Sequence, residues 1–399
     1  MMAQHHPDPR AGAATLDAIR QNVRRIPVDN IAALVAEGGG DKNFIPLWFG
    51  EGDLPTPDFI CQAAIEALRG GDTFYMPQNG IPELRRGLAD YLSSLHGISL
   101  GPERITVTVG GMGAILLAIS LVAGEGDNII VVDPVWPNIK GMVEIAGAEV
   151  RPVAMDLGEE GWSLDPEKIA ANVDGRTRAV FLASPGNPTG AVVSREAAEA
   201  LLELSRQHGF WILADEVYSR LHFELEAAPS FLDLAEDGDR LLVINSFSKS
   251  WSMTGWRIGW LVHPPELEET LAMMVQFTTS GVAPFLQQGA LAALTKGGDF
   301  VAQVRRRCKR GCDLVYDALQ GSNSLRLQPK PVAGMYVNFA VEGKADSREA
   351  ARAILRESGV GLAPGAFFGE VSEGWLRLCA NRDEAILREA AGRLARIGE

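Results

Sequence analysis

The chain is poor in the residues that build metal centres and disulfide scaffolds. Its 399 residues include four cysteines and six histidines. Cys61, Cys308, Cys312 and Cys379 are too few and too scattered for a disulfide framework, a usage that suits a reducing, cytoplasmic setting. Cys308 and Cys312 are spaced to share a helix face, but no histidine stands near to complete a metal set; core packing is the expected role and no metal is predicted. The histidines form no H-E-x-x-H or related array. Long apolar runs are also missing: the longest, residues 114–123, is too short to cross a bilayer and reads as a buried helix. Positive charge is in deficit, with 37 Lys and Arg against 51 Asp and Glu, which argues against nucleic acid or an anionic membrane as the main partner. The first dozen residues, with His5, His6, Pro7 and Pro9, predict a disordered tail, and no charged-then-apolar targeting pattern follows them.

What is present is an alternation of strand and helix patterns. The length allows one large domain plus a smaller one. Residues 16–36 carry helical apolar spacing broken at Pro27 and ended by glycines 38–40. Strands are expected at 105–109, 128–132, 149–152, 179–183, 211–214 and 241–244, with helices between them, and then helices at 266–279 and 283–319. This predicts an α/β fold with a large, doubly wound, mostly parallel sheet, whose ligands sit at the C-terminal ends of its strands. From about Gln328 the pattern becomes strand 334–341, helix 347–358, strand 361–363, strand 375–380 and helix 384–397, a smaller α+β domain. The expected limits are 1–46 for a tail and an arm of the small domain, 47–320 for the large domain and 321–399 for the small one.

Residues of chemical interest fall where those strands end. In residues 243–260 an apolar strand breaks into hydroxyl residues around Lys249 and then meets Gly255 and Gly259. Trp251, Trp256 and Trp260 flank the lysine with apolar bulk, which disfavours an ammonium and suits a Schiff-base amine; a surface lysine is the bland reading. A P-loop fails because its glycines are missing before Lys249. Gly110 to Gly113 lie between a strand and a helix, where backbone N–H groups and the helix dipole favour phosphate. Leu116 replaces the third glycine of a dinucleotide motif, so phosphate is better supported than dinucleotide. Trp136 offers a ring face beyond a buried strand. Asn187, with Pro185 before it and Pro188 after it, is held rigidly. Asp215 at the end of an apolar run needs a partner, either an arginine or a protonated ring nitrogen. Arg377, in an otherwise apolar strand, is either paired with an internal acid or kept for a ligand carboxylate. Gly50 ends a short strand and permits close backbone approach, and Tyr75 lies in an exposed loop.

Together these residues resemble the class I, fold type I pyridoxal-phosphate aminotransferases, over the chain from about Leu47 onward. The likeness rests on Ser246-Phe-Ser-Lys249 with Arg257 eight residues on, Asn187-Pro-Thr-Gly190, Asp215-x-x-Tyr218 and Arg377. It implies that Lys249 binds pyridoxal 5'-phosphate as a Schiff base and shuttles the substrate proton in a ping-pong transamination. Asp215 would keep the pyridine nitrogen protonated, and Tyr218 and Asn187 would bond the phenolic oxygen. Trp136 would stack on the ring, while Ser246, Arg257 and the Gly111 and Met112 backbone would hold the phosphate. Tyr75 would reach the phosphate of a neighbouring subunit, which implies a homodimer. Arg377 would clamp the substrate carboxylate, helped by Asn187 and Gly50. No arginine stands near 278–284 and Met112 stands where one branch has lysine, both of which weaken a dicarboxylic donor. Asp29 and Asn30 occupy a place where relatives often have small hydroxyl residues. A neutral, apolar or aromatic amino donor is therefore expected, with a 2-oxo acid acceptor. The rivals are a β-lyase on the same scaffold, a non-catalytic ligand sensor of this fold, for which no DNA-binding unit precedes Leu47, and a bare NAD enzyme.

Overall fold

The computed structural model describes residues 17–24, 26, 31–38 and 43–397. Seven strands form the main sheet: β1 (Ile105–Thr108), β2 (Asn128–Asp133), β3 (Glu149–Ala154), β4 (Thr177–Ala183), β5 (Trp211–Asp215), β6 (Leu241–Ser246) and β7 (Gly259–Val262). Their spatial order is β1-β7-β6-β5-β4-β2-β3. All neighbours are parallel except β7, which runs antiparallel to both β1 and β6. Strands β1, β2, β6 and β7 are buried along their whole length. Continuous apolar runs such as Ile129 to Val132 give this outcome, because helices cover both faces of the sheet. Helix Gly110–Val122 packs one face in a core with Ile129, Val131, Phe181 and Ile244, while the alternate residues Ile130, Val180 and Val243 face a second core on the other side.

The expected α/β order is therefore present, with strand β7 in addition. Residues 255–260 read as glycine punctuation, yet Gly259 opens a strand wedged beside the start of helix Gly110–Val122. A Cβ there would lie 2.6 Å from the Asn245 carbonyl oxygen and 2.8 Å from the Gly110 carbonyl carbon, so the backbone approach requires glycine. Residues 164–173 shorten to helix Pro166–Ala170, preceded by an unforeseen hairpin, Asp156–Gly158 with Gly161–Ser163. The helix expected over 283–319 is two helices, Pro284–Lys296 and Gly298–Leu319, parted at Gly297. There the Trp251 indole fills the space a side chain would need, its nitrogen donating to the Ala293 carbonyl at 3.0 Å. Where cap signals were strong the limits agree: Ser194 caps helix Arg195–His208, Asp346 caps helix Ser347–Ser358, and left-handed Gly209 and Gly359 end them.

A second, antiparallel sheet is built from β8 (Leu325–Leu327), β9 (Tyr336–Val341), β10 (Ala363–Pro364) and β11 (Trp375–Cys379), in the order β8-β9-β11-β10. Its core includes Val337, Phe339, Leu376 and Leu378, and also Ile45, Leu47 and Trp48 from the other end of the chain. Ile45–Pro46 pairs in parallel with Val360–Gly361, which carries the segment after Pro46 past both sheets. In the N-terminal part, Gln21–Arg24 and Ala32–Gly38 are helical; the tail with His5 and His6, and Pro27, Asp29 and Asn30, lie outside the described residues.

Helix Gly298–Leu319 crosses this core at Gly311, where an added methyl would overlap the Ala380 carbonyl oxygen. Gly311→Ala is expected to lower stability by about 1–3 kcal/mol through overpacking. Gly392→Ala, in helix Glu384–Leu394 with open space around it, should raise stability by about 0.4–1 kcal/mol. Urea titration of the two variants checks both signs.

Candidate active site

The C-terminal ends of β4, β5 and β6 and the start of helix Gly110–Val122 converge on a cavity of about 310 Å³, a size suited to a cofactor or small substrate. Gly50, Gly111, Met112, Trp136, Asn187, Asp215, Tyr218, Ser246, Lys249 and Arg257 all line it. Arg377, 1% exposed on β11, does not line it but packs behind two residues that do, its guanidinium carbon 6.0 Å from the centre of the Trp136 ring and 4.5 Å from that of Tyr336. Tyr75 is not part of this cavity. It is 91% exposed, in a groove beside residues 279–285.

Lys249 is placed by the sharp turn after β6, where the Ser246 hydroxyl accepts from the Ser248 N–H at 2.9 Å. The lysine Nζ donates to the Gly50 carbonyl at 2.7 Å and lies 5.8 Å from the centre of the Tyr218 ring. Burial pushes its pKa below the ordinary lysine value, with the nearby Arg377 charge acting in the same direction. The tryptophans expected to supply this setting do not line the cavity. Trp251 and Trp260 pack on Phe247 with ring centroids 5.0 and 5.1 Å away, and Trp256 bonds Thr56. The indoles pack outside the cavity, so the groups around the lysine are the cavity walls and the segment of Gly50.

Asp215 ends β5 and accepts from the Val217 N–H at 3.1 Å. Burial raises its pKa to about 6, outweighing that bond and the Lys249 charge. Among the described residues it has no salt-bridge partner, so a cationic N–H in the cavity would be its natural complement. The opposite need exists at the buried Arg377. Arg377 Nη1 donates to Asn187 Oδ1 at 2.7 Å and Nη2 donates to the Trp48 carbonyl, while its buried Nε has no partner. Neither Arg377 nor Arg257 forms an ion pair with a described acid. Asn187, having committed Oδ1 as acceptor, keeps its amide NH₂ as donor.

Arg257 is in the left-handed conformation (φ 52°) and donates to the Thr254 carbonyl at 2.7 Å. Its guanidinium lies against Gly110, where a Cβ would collide with it, and Gly110 itself has φ 67°. The helix of 13 residues starts there, earlier than the 114–122 expected, so the Gly111 and Met112 amides belong to its first turn. Unpaired amides, the helix dipole, the Ser246 hydroxyl and Arg257 meet on one side of the cavity. This is a cradle for a dianionic group, and it fits the phosphate of pyridoxal phosphate. Sequence reasoning missed Tyr336, which lines the cavity, is fully buried and bonds the Tyr218 hydroxyl at 2.7 Å. Its signal was weak: a buried phenol in an apolar strand, which needs a hydroxyl partner.

A strand-end cavity of this design, with a half-buried amine, a half-buried acid and arginines at and behind its wall, suits a small anionic, carbonyl-bearing group. The family model "aminotransferase class I and II" matches residues 43–394, and the chain belongs to that family. It is 35% identical over 359 residues to an aspartate/prephenate aminotransferase of Thermus thermophilus, covering 89% of this chain and 91% of the relative. It is also 35% identical over 355 residues to an arginine–pyruvate transaminase of Pseudomonas aeruginosa, covering 89% and 90%. The solved aspartate aminotransferase of Thermus thermophilus with maleate superimposes with a TM-score of 0.87 at 34% identity, over 95% of this chain and 99% of that one. The fold is that of type I pyridoxal-phosphate enzymes, and the protein is a transaminase acting on amino acids and 2-oxo acids.

The Asp215 shift has a measurable consequence. In the folded, cofactor-free protein the carboxyl keeps its proton up to about pH 6, against an unfolded value of 3.8. The folded state therefore binds more protons between these values, and stability falls as pH rises through that window. Replacement by asparagine removes this contribution, about 3 kcal/mol in all. Urea midpoints of the cofactor-free proteins from pH 4 to 7 should show a steeper decline for wild type than for Asp215→Asn. Glu216, raised by burial to about 7, remains in both.

Proposed function

We propose that the cavity holds pyridoxal 5'-phosphate on Lys249 and that the enzyme moves an amino group from a neutral, apolar or aromatic L-amino acid to a 2-oxo acid. The observation that carries this reading is the half-buried, pKa-lowered Lys249 amine placed between an unpaired acid and a helix-end anion cradle. When bound, the cofactor supplies a carbonyl that condenses with amines and a ring that accepts the electron pair left at the substrate Cα. Asp215 holds a proton against the ring nitrogen. Tyr218 and the Asn187 amide donate to the ring's phenolic oxygen, and Trp136 covers one ring face. Ser246, Arg257 and the Gly111 and Met112 amides hold the phosphate. Arg377 takes the substrate carboxylate through donors that no described acid occupies, beside Asn187 and Gly50. Lys249 would hold the cofactor carbonyl, and its amine is the base in reach to move the substrate Cα proton.

The side-chain preference rests on the walls. Phe49, Ile115, Val135 and Met112 face the cavity, and among the described residues that line it no cation is left over for a second carboxylate. A homodimer is proposed from the surface around Tyr75: Phe74, Tyr75 and Phe277 are 79%, 91% and 77% exposed, an apolar display that a second copy would cover. From there Tyr75 would reach the partner's phosphate. The domain limits 47–320 and 321–399, with 1–46 as tail and arm, are part of this proposal. The packing of Ile45, Leu47 and Trp48 in the small sheet's core supports the arm, and Cys312, Val315 and Leu319 of helix Gly298–Leu319 share that core.

Purified protein given pyridoxal phosphate should show a visible absorption band that Lys249→Ala lacks. The band should bleach with particular L-amino acids and return with a 2-oxo acid. A donor panel in which aspartate has by far the highest kcat/KM would sink the proposed preference, and pyruvate with ammonia from a cysteine conjugate would favour the lyase. Tyr75→Phe should raise the pyridoxal-phosphate concentration needed for half-saturation about tenfold, the loss of roughly one hydrogen bond to a charged group. Full activity of a monomer in sedimentation would contradict the placement of Tyr75.

A further inference from the structure

Tyr336 opens β9 opposite Cys379 of β11, two residues beyond Arg377. Its ring and hydroxyl make contact with three groups of the site at once. The Arg377 guanidinium carbon lies 4.5 Å from the ring centre. The hydroxyl bonds the Tyr218 hydroxyl at 2.7 Å, the rings meeting edge to face at 66°. The same hydroxyl sits against Gly50, where any Cβ would overlap it, and Gly50 is the residue whose carbonyl holds Lys249.

We propose that Tyr336 is a positioning residue for transamination: its hydroxyl donates to the Tyr218 oxygen and so turns the Tyr218 proton into the cavity. This rests on the reading of Tyr218 as donor to the cofactor's phenolic oxygen. Two phenols that share one hydrogen bond have two protons, of which one lies in the bond and the other is free. If Tyr218 donated in that bond, its proton would be consumed and nothing would remain for the ligand. The charges around the pair decide the direction. The Arg377 charge acts on both phenols; it stacks on Tyr336 and makes it the better donor, whereas at Tyr218 Asp215 opposes it and leaves that phenol the better acceptor. Burial keeps both protonated in the neutral range, Tyr336 being pushed up to about 12 and Tyr218 well above its ordinary value. A hydroxyl that accepts a bond donates a stronger one, so Tyr336 also strengthens what Tyr218 gives the ligand.

The test is a spectrophotometric pH titration of the visible band in four holoenzymes: wild type, Tyr336→Phe, Tyr218→Phe and the double variant. Loss of the Tyr336 hydroxyl weakens donation to the phenolic oxygen, so the lysine-bound cofactor should hold its proton more tightly, and its apparent pKa should rise by about half a unit. Tyr218→Phe should raise it further, and the double variant should titrate like Tyr218→Phe alone. A packing role would lower thermal stability without moving the titration. Tyr336→Phe titrating with wild type, or shifts that add in the double variant, would overturn the inference while leaving the cofactor assignment standing. A wild type with no lysine-dependent band would remove the cofactor reading and this inference with it.

Discussion

The constraint on which the site depends is the buried charge of Arg377. Its side chain is enclosed by Tyr336 and Phe368, its donors reach a side-chain amide and a backbone carbonyl, and no described carboxylate neutralises it. Burying a guanidinium in this way is costly unless an anion completes it. The same bonds tie together pieces that are remote in sequence. Asn187 comes from the loop after β4, Trp48 from the segment just after strand Ile45–Pro46, and Arg377 from the heart of the small sheet. A ligand carboxylate at Arg377 would thus bind where the two sheets meet.

The rest of the cavity follows the same logic with other signs. Asp215 is a half-buried acid without a described counter-ion, Lys249 a half-buried amine held by a carbonyl, and Arg257 an exposed cation resting on bare glycine at a helix start. Each is left incomplete by the chain, and one compound bearing a ring N–H, a carbonyl and a phosphate would complete all three. Strand β7 makes this geometry possible. By inserting antiparallel beside β6, Gly259 presses the start of helix Gly110–Val122 against Ser246, and the glycines at 110 and 259 allow that approach.

The order of the parallel strands was legible because each is an apolar run bounded by glycine, proline or a cap, and the strand ends carried the polar residues. Helices with explicit caps, such as Arg195–His208, were legible to the residue. The antiparallel β7 was not, since its pairing with β1 joins residues about 150 apart and local pattern shows only two glycines and a tryptophan. The helix break at Gly297 was hidden for a related reason: the Trp251 indole packed against it comes from another part of the chain. Lys249, Asp215, Asn187 and Arg377 were legible as anomalies, polar groups where burial was expected. Tyr336 was not, because between Met335 and Val337 a tyrosine reads as one more core aromatic. The tryptophans around Lys249 were misassigned because sequence proximity does not say which side of a turn a ring occupies.

The most direct measurement is reductive trapping followed by peptide mass mapping. Pyridoxal phosphate would be incubated with the native protein, fixed with borohydride and the digest mapped for the pyridoxyl-phosphate adduct. A single stoichiometric adduct on the peptide containing Lys249, absent when the protein is unfolded in urea before labelling, is the result the half-buried amine predicts. Labelling spread over surface lysines, or a Lys249 peptide recovered unmodified from the native protein, would contradict it.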